Sequence, residues 1–339
     1  AGSSDEDIAR ACEKMRAPPG ARWDVSAKIK MRDEKLREVR TMLSRVAEQR
    51  RAFGTLVTKI EEKLLKNTRE ERERADKADR ALIVGSGLGD RLEKLEAQRD
   101  AAVEAAKLAE VTPDGLSNVF YANSGSEAND TIIRMVRHYW ALEGKPEKRV
   151  IISRDFGYHG STIMSASMGG MSGMHEQAAN EPDFAHIRPP YGFLHQGNQD
   201  EAEFAANAAS WLDDKINEIG ASNVAAFVAE PIQGAGGVIV PPAGYFKHIQ
   251  AICRRHDILF VADEVITGFG RTGQWFASQT MELEPDMMAL AKGLTSGYVP
   301  MSAVMVGDRV ANKLIADGGE FYHGFTYSGH PVAAAVALA

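Results

Sequence analysis

The chain has 339 residues, 44% of them hydrophobic and 26% charged, and a net charge of −7, which is the make-up of a soluble protein with room for more than one domain. No stretch approaches the roughly 18 consecutive apolar residues of a spanning helix, and the acidic start, Ala1 to Asp7, has no apolar core, so neither a membrane span nor a secretory signal is expected. The two cysteines, Cys12 and Cys253, lie too far apart for a disulfide framework, which points to a reducing, cytoplasmic setting.

The charge is unevenly spread. Residues 1–107 hold 25 Lys/Arg against 21 Asp/Glu, a balance of +4, whereas residues 108–339 hold 15 against 26, a balance of −11. From Ser26 to Asn67 the apolar residues Leu36, Val39, Leu43, Val46, Phe53, Val57, Ile60 and Leu64 fall three and four apart, interrupted only by Arg50. Such an a/d seam predicts a long helix with a narrow packing stripe. A weaker repeat through Leu92, Leu95, Ala102 and Ala106 predicts a second helix over 90–109, and the two could pair as an antiparallel hairpin across the charged stretch Arg69–Arg80. Acidic and basic residues nearly balance in this region, so it is not expected to bind nucleic acid. The glycine turn Gly85–Gly89 lacks the third glycine of a dinucleotide fingerprint, Asp90 standing in its place.

Beyond residue 107 the texture changes to apolar strands alternating with amphipathic helices. Strands are predicted at Asn118–Ala122, Arg149–Ser153, Phe184–Arg188, Val224–Ala229, Ile258–Ala262, Met287–Leu290 and Ser302–Val306. Helices are predicted at Glu127–Leu142, Glu201–Ile219, Tyr245–His256 and Pro331–Ala339. Several strands are apolar on both faces, as in a mostly parallel sheet of seven strands covered by helices on each side. Two domains follow: a helical, coiled-coil-like segment at 1–107 and an α/β domain at 108–339. In such sheets a ligand lies beyond the carboxyl ends of the strands, and the polar motifs fall there.

The first motif is the strand-to-helix turn Asn123-Ser124-Gly125-Ser126-Glu127-Ala128. Gly125 would let a ligand approach the backbone, Ser126 could cap the helix, and a helix start suits a phosphate; a plain N-cap reads from the same residues. The second, Gly157-Tyr158-His159-Gly160, offers a ring that could stack on a planar heterocycle or simply fill a core. The third, Ala229-Glu230-Pro231-Ile232-Gln233-Gly234, ends an apolar strand in a carboxylate that must be paired if buried. The fourth is Asp263-Glu264-Val265, closing another apolar strand and followed by a literal Gly-x-Gly-x-x-Gly at Gly268–Gly273. Those glycines do not join a strand directly to a helix, so a dinucleotide site is not expected. The fifth is Lys292-Gly293, which follows Asp263 by 29 residues. That pair is how pyridoxal-phosphate enzymes are built: a carboxylate keeps the pyridine nitrogen protonated and a lysine holds the aldehyde. The methionines between Met164 and Met174 could line a substrate channel or fill the core.

Taken in order with Phe325-Thr326-Tyr327-Ser328-Gly329-His330-Pro331, these motifs make the chain from about residue 107 to Ala339 resemble the class III aminotransferases of fold type I. The resemblance is strongest to the ω-amino acid and ω-amine:pyruvate transaminases. It implies pyridoxal 5′-phosphate as cofactor and no metal. It implies Lys292 as the lysine that carries the cofactor and shuttles the proton, and Asp263 as the partner of the pyridine nitrogen. Tyr158 and Val265 would cover the two ring faces, and Ser124, Gly125 and Ser126 would hold the phosphate. His159, Glu230 and Gln233 would stand near the ring or its partners. Thr326 would reach the phosphate of a neighbouring subunit's cofactor, which implies a homodimer. The substrates implied are an amine donor, such as a diamine or β-alanine, and pyruvate or a similar keto acid.

Residues 1–106 do not resemble the family, and its C-terminal domain, with an arginine for the substrate carboxylate, has no counterpart in this sequence. A second reading is therefore a non-catalytic helical assembly protein carrying an incomplete cofactor domain. A third, a racemase or aminomutase, would share Lys292 and Asp263.

Overall fold

A computed structural model describes residues 101–339, Ala179 apart. The chain divides into two compact units, Ala1–Ser86 and Gly87–Ala339, and the described residues all belong to the second. The heptad segment, the charged stretch, the glycine turn at 85–89 and residues 90–100 of the second expected helix lie outside the described residues. A helix that runs through 101–111 (α1) spans the position at which the sequence divides into its two expected domains.

The seven strands are β1 (Asn118–Ala122), β2 (Val150–Arg154), β3 (Phe184–Ile187), β4 (Val224–Ala229), β5 (Leu259–Asp263), β6 (Met287–Leu290) and β7 (Ser302–Val306). Each lies within a residue of its predicted place, because runs of β-branched and apolar residues bounded by turns leave few alternatives. They form one sheet in the order β1-β7-β6-β5-β4-β2-β3. Only β7 runs against its neighbours, pairing antiparallel with β1 and β6. The mostly parallel seven-stranded sheet is thus borne out. The six strands that share a direction bring their carboxyl ends to one edge.

The helices are α2 (Gly125–Leu142), α3 (Ile163–Met168), α4 (Ser172–Ala178), α5 (Gly192–His195), α6 (Glu201–Ile219), α7 (Tyr245–Arg255), α8 (Ala277–Thr280), α9 (Asp308–Asp317) and α10 (Pro331–Leu338). Side chains alternate across a strand, so β5 gives Leu259 and Val261 to one face and Phe260 and Ala262 to the other. Helix α2 covers the first face with a stripe of Ala128, Ile132, Met135, Val136, Tyr139 and Trp140. Trp140 is buried and donates through Nε1 to the Ala225 carbonyl at 2.9 Å, which satisfies its one polar atom. Burying a side chain of this size is worth about 3 kcal/mol. Helices α6 and α7 cover the other face through Phe204, Ala208, Leu212, Tyr245, Phe246 and Ile249. Asp200 starts α6 by accepting from the Glu203 N–H at 2.8 Å. Met168 is part of the core and Met164 packs against it, so the methionine-rich segment fills space between helix and sheet.

No helix among the described residues is long and apolar enough to cross a membrane.

Candidate active site

Five strands end at the site. Strand β1 delivers the turn into α2, β2 the loop of Tyr158 and His159, β4 Glu230, β5 Asp263, and β6 the 3₁₀ turn Lys292–Thr295. Gly125, Ser126, Tyr158, His159, Glu230, Asp263, Val265 and Lys292 line one cavity of about 130 Å³, together with Asn129, Gly160, Ile266 and Ala291. Residues as far apart in sequence as Gly125 and Lys292 are therefore brought together. Ser124 stands one residue outside that wall. Thr326 is exposed and does not line the cavity, and Gln233 is buried behind it, donating to the Asp155 carbonyl at 2.9 Å.

The start of α2 corrects one expectation. Ser124 is the cap, its hydroxyl accepting from the Glu127 N–H at 3.2 Å, while Glu127 returns a carboxylate to the Asn123 backbone N–H at 2.7 Å. Ser126, expected as the cap, is already in the helix, and its hydroxyl accepts from the Ser161 N–H at 3.0 Å. Ser124 has the extended backbone of a cap, φ −148° and ψ 159°, and the Glu127 N–H lies within reach of its hydroxyl. With Ser124 taking the Glu127 and Ala128 N–H groups, those of Gly125 and Ser126 are left for a ligand at the positive end of the helix. A Cβ on Gly125 would stand 3.2 Å from both methyls of Val265, so any larger residue would push that side chain back from the turn.

Asp263 is the best-supported group in the site. It is 3% exposed. Its Oδ2 accepts from His159 Nδ1 at 2.7 Å and from Asn129 Nδ2 at 2.9 Å, and its Oδ1 accepts from the Val265 N–H at 3.1 Å. Burial by itself pushes a carboxyl up, but the donors from His159, Asn129 and Val265 outweigh it and hold Asp263 below the ordinary aspartate value. Asn129 also donates to the His159 carbonyl at 2.7 Å, so one amide fixes both partners. Glu230 behaves in the opposite way. Burial and then the charge of Asp263 raise it, although the Tyr158 and Gly234 N–H groups donate to its two oxygens at 3.1 and 2.9 Å. The buried Arg154 guanidinium donates to the Glu230 backbone carbonyl.

Glu264 follows Asp263 and faces the other way. Its carboxylate accepts from the Thr267 hydroxyl and from the Ala277 N–H at 3.1 Å and the Ser278 N–H, so it fixes the first turn of α8 and does not enter the cavity. Lys292 is exposed, has φ of 45°, and stands where the small cavity meets a cleft of about 720 Å³. The cleft walls include Glu104, Phe269, Arg271, Trp275 and Leu294.

Pyridoxal 5′-phosphate fits this donor set. A protonated pyridine nitrogen calls for a buried carboxylate that stays ionised, and Asp263 is one. A phosphate calls for unpaired N–H groups at a helix start, and a flat ring calls for an aromatic side chain, here Tyr158, and an apolar one, Val265. Asn129 Oδ1, buried in the same wall, has no hydrogen-bond partner among the described residues. Sequence reasoning gave Asn129 no role. The available signal was an amide in the inward stripe of α2, where only a paired polar group is tolerated.

Residues 94–339 match the family described as aminotransferase class-III. The chain is 58% identical over 238 residues to the putrescine–pyruvate aminotransferase of Pseudomonas aeruginosa, covering 70% of this chain and 52% of that protein. It is 47% identical over 232 residues to the vanillin aminotransferase of Capsicum frutescens, covering 67% and 50%. Among solved structures it resembles the thermostable (S)-enantioselective omega-transaminase from Thermomicrobium roseum, with 44% identity, a TM-score of 0.69, and 70% and 54% of the two chains covered. The omega transaminase from Pseudomonas jessenii in complex with PMP gives 46% identity and a TM-score of 0.68, with 70% and 54% covered. The chain spans about half the length of the curated relatives it matches.

Proposed function

Since the chain belongs to the class-III aminotransferases, a family that uses pyridoxal 5′-phosphate, we propose that its α/β unit is the cofactor-binding part of an enzyme moving an amino group from an ω-amino acid or amine to pyruvate. A diamine is the donor we favour, on the likeness to the putrescine–pyruvate enzyme. The observation that carries the reading is the meeting of Asp263 and Lys292, from the ends of adjacent parallel strands, in one cavity.

When bound, the cofactor supplies an electron sink for the charge left at a substrate carbon that loses its proton. The chain's residues do the rest. Asp263, ionised through neutral pH, pairs with the ring nitrogen and keeps that sink charged. His159 and Asn129 hold the aspartate in place. Tyr158 and Val265, which line the same cavity, would cover the ring and exclude water. The N–H groups of Gly125 and Ser126, with the Ser124 turn behind them, receive the phosphate. Lys292 Nζ would hold the aldehyde and, as a free amine, would move a proton at the substrate carbon. Glu230, its pKa raised by burial, holds the Tyr158 and Gly234 N–H groups on its two oxygens and so fixes the loop that carries Tyr158. In a homodimer, Thr326, exposed here, would reach the partner's cofactor phosphate. A cytoplasmic setting accords with this chemistry.

An absorbance spectrum of the purified chain with pyridoxal 5′-phosphate tests the proposal. A protein-bound visible band that bleaches on adding a diamine and returns with pyruvate is the expected result. A chain that forms no such band would refute the enzymatic reading and favour the helical assembly protein. A band that bleaches and returns without any keto acid would point to the racemase or aminomutase reading.

A further inference from the structure

The glycine-rich run Gly268–Gly273 is unsuited to a dinucleotide and is not used in the site described above. It lies in the loop between β5 and α8, joined directly to neither, and it touches the residue beside the proposed reactive lysine. Phe269, with φ of 58°, and Lys292, with φ of 45°, are among the non-glycine residues that hold left-handed backbone. Such conformations are sparsely populated for L-residues and persist only where the surroundings over-determine them.

The surroundings do so here. A Cβ on Gly293 would stand 2.8 Å from Phe269 Cβ and 2.9 Å from its Cδ2, so the Phe269 side chain lies directly against the Gly293 backbone. The Phe269 ring meets the Phe276 ring edge-on, with centroids 5.3 Å apart and planes at 70°. Phe276 is fully buried, and the residues that follow it, Ala277 and Ser278, donate to the buried carboxylate of Glu264. The chain returns through Gly270, whose N–H donates to the Trp275 carbonyl at 3.2 Å. Glu264, next to Asp263, is thus linked through Phe276 and Phe269 to Gly293, next to Lys292. Phe269, Lys292 and Gly293 all line the larger cleft.

We propose that Gly268–Gly273 is a clamp on the reactive lysine, with Phe269 as the positioning residue that keeps Lys292 in its left-handed backbone and aims Nζ at the boundary of the two cavities. The proposal rests on the reading of Lys292 as the lysine that carries the cofactor. Phe269 touches neither cofactor nor substrate in this account. It acts through Gly293, and the outward-facing Glu264 anchors the other end of the clamp through Ala277 and Ser278.

Trace labelling of the full 339-residue chain with acetic anhydride, without cofactor and read peptide by peptide by mass spectrometry, reports the reactivity of each lysine. In Phe269→Ala, Lys292 labelling is expected to shift by about fivefold or more relative to Lys313 and Lys145, because one lost backbone constraint is worth a factor of that order. Phe269→Leu, which keeps an apolar plug, is expected to restore most of the native value. Gly293→Ala, which forces Phe269 aside, should act as Phe269→Ala does, and Phe269→Gly with Gly293→Ala, in which no Cβ remains for the new methyl to strike, should be no worse than either single variant. Should Phe269→Ala fail to fold, Phe269→Leu and Gly293→Ala still carry the test through that comparison. Unchanged Lys292 labelling in folded variants would overturn the clamp, as would effects of the two substitutions that simply add. Because the labelling needs no cofactor, a native chain that forms no visible band would sink the proposed function while the labelling still judged the clamp.

Discussion

The ends of β5 and β6 hold the two central groups of the site by opposite means. Asp263 is buried and accepts three hydrogen bonds, from His159, Asn129 and Val265, so its position and charge are fixed by its partners. Lys292 is exposed and held by its backbone, in a conformation the residue does not prefer. A group that must stay charged and still is best embedded in a network; one that must swing between aldehyde, substrate and proton needs a fixed root and a free end.

Replacing each group in turn should break this contrast most clearly. Lys292→Ala should reduce the amine half-reaction by at least about 10³-fold, as loss of a covalent catalytic group does. Lys292→Gly should be equally inactive, and its thermal unfolding midpoint should not fall, because glycine relieves the left-handed strain. A marked loss of stability in Lys292→Gly would mean that the lysine is held by packing. Asp263→Ala should behave differently, costing both activity and about 3 kcal/mol of stability in denaturant unfolding, since His159 Nδ1 and one of the two Asn129 N–H bonds lose their acceptor.

A smaller change should sharpen the comparison. Asn129→Leu removes one of the three donors to Asp263, so the aspartate's pKa should rise toward its ordinary value. The carboxylate then protonates at higher pH, and the acid limb of the amine half-reaction should shift upward, with activity at neutral pH little changed by this cause. An acid limb that did not move would show that His159 suffices. The network's stability contribution has the same sign: a depressed carboxyl stabilises the fold above its unfolded value, and that contribution is lost as pH falls through the lower folded value.

Glu104 on α1 should show the reverse sign. It is 2% exposed, neither of its oxygens is hydrogen-bonded among the described residues, and burial pushes its pKa up to about 7. The folded state therefore holds a proton that the unfolded state gives up from about pH 4.5, and stability should fall between that pH and about 7. Glu104→Gln should remove this loss, raising stability at pH 8 by about 1–3 kcal/mol with little change at pH 4. Equal midpoints for the two proteins at pH 8 would show that Glu104 ionises without penalty.

The site was legible in unequal parts. The strand ends at Ala229-Glu230 and Ala262-Asp263, the turn at Ser124-Gly125-Ser126 and the pair Lys292-Gly293 could be found in the sequence, because acids and glycines stand out where apolar strands stop. Asn129 could not be assigned, since its partner Asp263 is 134 residues away. The capping residue was misplaced by two positions, because either serine could in principle start the helix and only the extended backbone at Ser124, with its bond from the Glu127 N–H, decides between them.

By itself the sequence determined where the strands and the main helices run, that most strands are covered on both faces, and which residues gather at their carboxyl ends. Those features follow from local periodicity and from the cost of burying polar atoms, both of which act along the chain. The tertiary structure alone decided the strand order, the reversed insertion of β7, the outward turn of Glu264 and the contact of Phe269 with Gly293. Each depends on which element lies beside which, and at the end of β5 a single step along the chain turns the side chain from the cavity at Asp263 to the side of α8 at Glu264.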